Sequence, residues 1–115
     1  MSDKDFQTQL TGFLAAAQAK VDDYMKRNGF RGNPVIETEE GPKFIRVIRA
    51  EYNDPKNPTQ ALTRSAYCFI EKATGQVFKP AGWKAPERKN PRSNIFADDF
   101  GASGVDHHGA VYIRR

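Results

Sequence analysis

The sequence predicts an α+β fold: an N-terminal amphipathic helix packed on an antiparallel sheet of about four strands in two hairpins, followed by an irregular C-terminal segment. Three observations lead there. Apolar residues recur at helical spacing over residues 5–28. Two pairs of β-prone runs, each pair split by a tight turn, fill residues 34–80. From residue 81 onward, glycines, prolines and charges break the chain into short pieces.

In the first element Phe6, Leu10, Phe13, Leu14, Ala17, Val21 and Tyr24 follow one another at spacings of three and four. Ser2 or Asp3 is placed to cap the start, and Ser2 with Asp5 has the spacing of a capping box. Lys26 and Arg27 suit the negative end of the helix, and Gly29 stands where a left-handed C-cap belongs. Gln7, Thr11, Gln18 and Asp22 make the opposite face polar. One apolar stripe must therefore be covered, and a sheet is the natural cover.

Residues 30–34 read as a linker, residues 35–38 as a short strand and residues 39–41 as its turn. The longer strand at residues 43–52 places Phe44, Arg46, Ile48, Ala50 and Tyr52 on one face. Ile45, Val47, Arg49 and Glu51 take the other, so Arg46 and Arg49 point to opposite sides. Residues 53–63, with two prolines, form a loop. In the second hairpin Tyr67, Phe69 and Glu71 are expected on one side and Ala66, Cys68 and Ile70 on the other. Ala73-Thr74-Gly75 suits a three-residue hairpin loop with glycine in the left-handed position. The return strand begins at Gln76, and Pro80 ends it.

Residues 81–115 are expected to be an irregular basic tail. Trp83 and Pro86 are candidates to anchor it on the core. Residues 87–92 are charged and broken by proline, and residues 97–109 carry three glycines and three aspartates, a turn composition. The closing VYIRR has the pattern of an edge strand whose arginines discourage further pairing, although such an edge permits a homodimer.

With 115 residues the chain is read as a single domain. No apolar run approaches the roughly 20 residues that span a bilayer, and the first ten residues lack the pattern of a secretion signal. A single cysteine excludes an internal disulfide and fits a reducing cytoplasm. Of the net charge of +4, residues 1–60 contribute none, with nine basic and nine acidic side chains. Residues 72–92 alone carry six basic residues against one acid, Glu87. A basic excess gathered in one segment is the footprint of an anionic partner.

That segment supplies the candidate binding set: Lys72, Lys79, Trp83, Lys84, Arg88, Lys89 and Arg92, with Tyr112 and Arg114 from the C-terminal end. Cations displace counterions from phosphates, and aromatic rings offer bases a surface to stack on. Trp83 has a competing reading as an apolar peg that closes the core, with its lysines solvated.

The pieces KATGQVFKPAGWKAP, RSNIFADDFG and GAVYIRR resemble the C-terminal half of a group of small, uncharacterised proteins of tailed bacteriophages and prophages. The shared elements are Trp83-Lys84-x-Pro86, Arg92-x-Asn94-Ile95 and Gly109-x-x-Tyr112-x-Arg114. The resemblance implies a phage-encoded protein acting in the cytoplasm of an infected bacterium, and implies no activity.

Catalytic patterns are weak. Cys68 sits among apolar neighbours as a small hydrophobe. Ser65 and Ser103 have no nucleophile elbow. Gly101, Gly104 and Gly109 do not join a strand to a helix as a phosphate loop does. Asp98, Asp99, Asp106, His107 and His108 match no standard ligand spacing. The expectation is a non-enzyme without cofactor or metal that binds nucleic acid through a basic face. Two alternatives remain: a protein that inhibits or modulates a host enzyme or defence factor, using an edge strand or pocket anchor, and a nucleotide-sequestering protein in which Trp83 or Tyr112 stacks on a base.

Overall fold

A computed structural model describes residues 5–29, 34–51, 63–106 and 109–110. Helix α1 spans Phe6–Arg27. Five strands follow, β1 at Pro34–Glu40, β2 at Phe44–Glu51, β3 at Thr63–Glu71, β4 at Gln76–Phe78 and β5 at Ser93–Asn94. They lie in sequence order in one antiparallel sheet. A short 3-10 helix at Ala102–Gly104 leads into a second, two-stranded sheet of β6 at Val105–Asp106 and β7 at Gly109–Ala110. The helix and the two hairpins are those the sequence predicts. The additions are β5, which extends the sheet by pairing with β4, and the small second sheet.

Asp5 caps the helix, its carboxylate accepting from the Thr8 backbone N–H at 3.2 Å and the Thr8 hydroxyl at 3.3 Å. The expected caps Ser2 and Asp3 lie outside the described residues. At the other end Gly29 takes φ of +64°, the left-handed cap that its position foretold. The apolar stripe of α1 (Leu10, Phe13, Ala17, Val21) packs on Ile45 and Val47 of β2, Tyr67, Cys68 and Ile70 of β3, and Val77 of β4. Ile95 and Val105 complete this core from the C-terminal segment. The segment is thus irregular in path yet contributes to the core.

Two polar helix residues do more than face water. Gln9 is buried and donates from Nε2 to the Ile95 carbonyl at 2.7 Å. Gln18, expected on the solvent face, presents its amide to β1 as a strand would. Its Nε2 donates to the Pro34 carbonyl at 2.9 Å, and its Oε1 accepts from the Ile36 N–H at 2.8 Å. Since β1 is an outer strand of the sheet, this pair satisfies backbone groups that an edge leaves open.

Strict alternation fails once, at Tyr67. The β2–β3 register pairs Val47 with Cys68 and Ile48 with Ala66, leaving Tyr67 as the extra residue of a β-bulge. Tyr67 therefore joins Cys68 and Ile70 in the core instead of sharing a side with Phe69, and its hydroxyl donates to the Asp106 carbonyl. Burial pushes the pKa of this phenol and of the Cys68 thiol far up, so both stay protonated and Cys68 is a small hydrophobe. The second sheet docks here. A Cβ on Gly109 would stand 2.3 Å from the Tyr67 carbonyl oxygen, so only glycine lets β7 approach the bulge.

Candidate nucleic-acid interface

The side of the sheet turned away from α1 bears aromatic rings and paired charges. The ladder sets Glu39 of β1 beside Arg46 of β2, Arg46 beside Phe69 of β3, and Phe69 beside Phe78 of β4. Phe44 meets Phe69 edge to face at 6.5 Å between ring centroids and Phe78 at 6.2 Å. Arg46 and Arg49 do fall on opposite faces, as alternation requires. Only Arg46 belongs to this surface; Arg49 pairs with Glu51 at 2.7 Å.

Residues 79–87 double back across this face. Pro80 and Pro86 form a bridge, and Glu87 donates its N–H to the Lys79 carbonyl at 2.7 Å. The tip brings Trp83 onto two arginines of the sheet, Arg46 at 4.6 Å and Arg64 at 5.7 Å from a ring centroid. Arg46 Nε also donates to the Trp83 carbonyl at 2.7 Å. Trp83 keeps 38% of its surface exposed. It is therefore neither a core peg nor a free stacking platform; one part of the ring lies on guanidinium groups and the rest meets water.

Beside this stack lies a cleft of about 620 Å³, lined by Glu39, Gly41, Lys43, Phe44, Arg46 and Lys84 among others. A second cleft of about 490 Å³ is lined by Pro42, Lys43, Glu71, Lys72, Ala73 and Arg88. Pro42 and Lys43 line both, so the two adjoin at the turn between β1 and β2. Arg88 of the second cleft sits 5.4 Å over the ring of Phe44, which lines the first.

Carboxylates are interleaved with these cations. Glu39 accepts from Arg46 at 2.6 Å and from Arg64 at 3.3 Å. Arg64 and Arg46 together hold its carboxyl below the usual value. Lys72 pairs with Glu40 at 2.5 Å, and Arg88 with Glu71 at 3.6 Å. Among the described residues Lys43, Lys84 and Lys89 form no ion pair.

The candidate set drawn from the sequence is thus divided. Lys72, Lys84 and Arg88 line the clefts, and Trp83 lies against Arg46, which lines the first. Lys79 turns its ammonium to the Pro80 carbonyl at 3.4 Å, and Lys89 is exposed away from the linings. The Arg92 side chain is only 4% exposed, pairs with Glu87 at 3.5 Å and donates to the Asn90 carbonyl. Tyr112 and Arg114 lie outside the described residues. The clefts also draw Lys43 from the β1–β2 turn and Phe44 and Arg46 from β2, and Arg64 of β3 lies against Trp83, none of which the charge count of residues 72–92 includes. The strand pattern did put Phe44 and Arg46 on one face, and that was the signal available.

Asp99 has a local role in the C-terminal turns. Asp99 accepts from the backbone N–H groups of Ser103 at 2.9 Å and Gly101 at 3.0 Å, and these bonds hold its carboxyl low. Among the described residues no group of three or more His, Cys, Asp and Glu side chains converges. His107 and His108 lie outside them. Among the same residues no helix is long and apolar enough to cross a membrane.

A family model matches residues 4–112, nearly the whole chain. The chain belongs to DUF7717, a family of unknown function. No curated protein and no solved structure matches it.

Proposed function

We propose that this chain is a non-enzymatic accessory protein that binds single-stranded nucleic acid on the sheet face opposite its helix. The observation that carries this reading is the pair of adjoining clefts, the first lined by Lys43, Arg46 and Lys84 with Phe44, the second by Lys43, Lys72 and Arg88, with Arg88 over the Phe44 ring. Compact α+β modules take single strands on a sheet face in this way, by phosphate contacts from cations and by bases laid on rings. The net charge of +4 favours an anionic partner. A flexible strand fits shallow clefts better than a rigid duplex, because it can turn its bases toward the protein.

Glu39, Glu40 and Glu71 temper that attraction. Each already holds a cation of the face, so an incoming phosphate exchanges for a carboxylate. Binding is therefore modest and strongly salt-dependent. The resemblance of the C-terminal half to phage-encoded proteins supports placing this action in the cytoplasm of an infected bacterium.

The test is fluorescence anisotropy of a labelled single strand over a salt series. If roughly three or four phosphates are neutralised, log K falls against log salt with a slope of about −2 to −3. No binding at low salt would refute the reading. A discrete protein retained from bacterial lysate after nuclease treatment would favour the host-directed alternative instead.

A further inference from the structure

We infer that the two clefts are unequal subsites of one nucleotide unit, the first for a base and the second for its phosphate. This rests on the nucleic-acid reading above and makes it more specific. The first cleft is the larger and holds the apolar surface, with Pro42, Phe44 and Phe69 in its lining. Its cations Lys43, Arg46 and Lys84 are offset by Glu39 and Glu40. Near-balanced charge around a ring suits a neutral, flat group that stacks and hydrogen-bonds, as a base does.

The second cleft differs in having no ring in its lining and a loosely held arginine. Lys43, Lys72 and Arg88 line it beside Glu71, with Glu40 of the first cleft reaching across to Lys72 at 2.5 Å. The Arg88–Glu71 pair is long at 3.6 Å, and the Arg88 side chain is 62% exposed. Such a pair contributes little to stability and yields readily to a stronger anion. A phosphate with its charge-assisted hydrogen bonds is such an anion. Lys43 lines both clefts, and Arg88 lies over the ring of Phe44, so the two subsites meet at a shared wall.

The experiment compares wild-type affinity for an oligoadenylate of about ten nucleotides with that for an abasic strand of equal length, using the stacking contribution of a base as the yardstick. The adenine strand is expected to bind about tenfold tighter or more. Phe44→Leu erases that difference while leaving the abasic strand unaffected, whereas Arg88→Gln weakens both strands alike. Equal affinity of the wild-type protein for the two strands would overturn the base subsite and leave the nucleic-acid reading intact. A difference that persists in Phe44→Leu would also overturn it. Binding of neither strand would remove the nucleic-acid reading itself, and the subsites with it. The wild-type comparison stands even if Phe44→Leu disturbs the packing of Phe69 and Phe78.

Discussion

The Arg46 guanidinium lies 4.6 Å from a ring centroid of Trp83, and its Nε donates to the carbonyl of that same residue at 2.7 Å. A strand residue and a loop residue 37 positions apart are thereby joined twice. Arg46 Nη1 pairs with Glu39 at 2.6 Å, and the guanidinium also lies 5.9 Å from the Phe69 ring centroid. The contact fixes residues 79–87 over the sheet and gives the first cleft its Lys84 wall.

Replacing Arg46 by lysine keeps the charge and loses the planar stack and the directed Nε hydrogen bond. Arg46→Lys is expected to cost about 1–2 kcal/mol in urea unfolding. Because Trp83 is the chain's only tryptophan, its emission shifts to the red as the ring becomes more hydrated. An unchanged spectrum would mean that the loop is held by other contacts.

Removing a competing carboxylate strengthens binding. Glu71→Gln releases Arg88, which is 62% exposed against 19% for Glu71, and keeps an amide oxygen for the Thr74 hydroxyl, so stability changes by no more than about 1 kcal/mol. Affinity for a single strand at low salt is expected to rise by up to about fivefold, the equivalent of about 1 kcal/mol. Anisotropy titration of the variant beside wild type measures it, and a fall in affinity would contradict the exchange of carboxylate for phosphate.

Acid weakens the fold through two carboxyls. Arg64 and Arg46 hold Glu39 below its ordinary 4.5, and the N–H groups of Ser103 and Gly101 hold Asp99 below its ordinary 3.8. A carboxyl with a depressed folded pKa binds its proton more readily when unfolded. Its contribution is complete above the ordinary value and lost as pH falls through the folded one. The urea midpoint is therefore expected to be steady down to about pH 5 and to fall below it. Added salt reduces the part due to Glu39, which is exposed.

The bulge at Tyr67 makes Gly109 harder to replace than Gly12. A Cβ at Gly109 would meet the Tyr67 backbone oxygen at 2.3 Å, on a φ of +127°. Gly109→Ala is expected to cost about 2 kcal/mol or more. At Gly12 the obstacle is the ring of Phe100, also at 2.3 Å, but it is a side chain 36% exposed and not fixed backbone. The gain in helix propensity of about 1 kcal/mol then offsets part of the disturbance. Urea midpoints of the two variants give the comparison.

Much of the fold is legible because its signals are local. The stripe from Phe6 to Val21 states a helix, and Ala73-Thr74-Gly75 states a hairpin turn, with Gly75 at φ of +77°. Tyr67 was misassigned because a bulge changes the side-chain period by one residue without marking the sequence. Gln18 looked solvated because nothing local shows that an edge strand will lie beside it. The candidate site was half legible for the same reason. Basic residues 72–92 stand together in the chain, so the charge count found them. Lys43, Arg46 and Arg64 joined them only through strand register and the return of the Trp83 loop. Arg92, by contrast, was counted as a surface cation although the fold buries it against Glu87.

The central claim is that single-stranded nucleic acid occupies the face opposite α1. Lysine acetylation read by mass spectrometry, with and without a saturating single strand, tests it most directly. Lys43 and Lys84 line the clefts and carry no ion pair among the described residues, whereas Lys26 is exposed at the far end of the helix. The account predicts that the strand shields Lys43 and Lys84 and leaves Lys26 as reactive as before. Protection of Lys26 with Lys43 and Lys84 unchanged, or no protection at all, would contradict it.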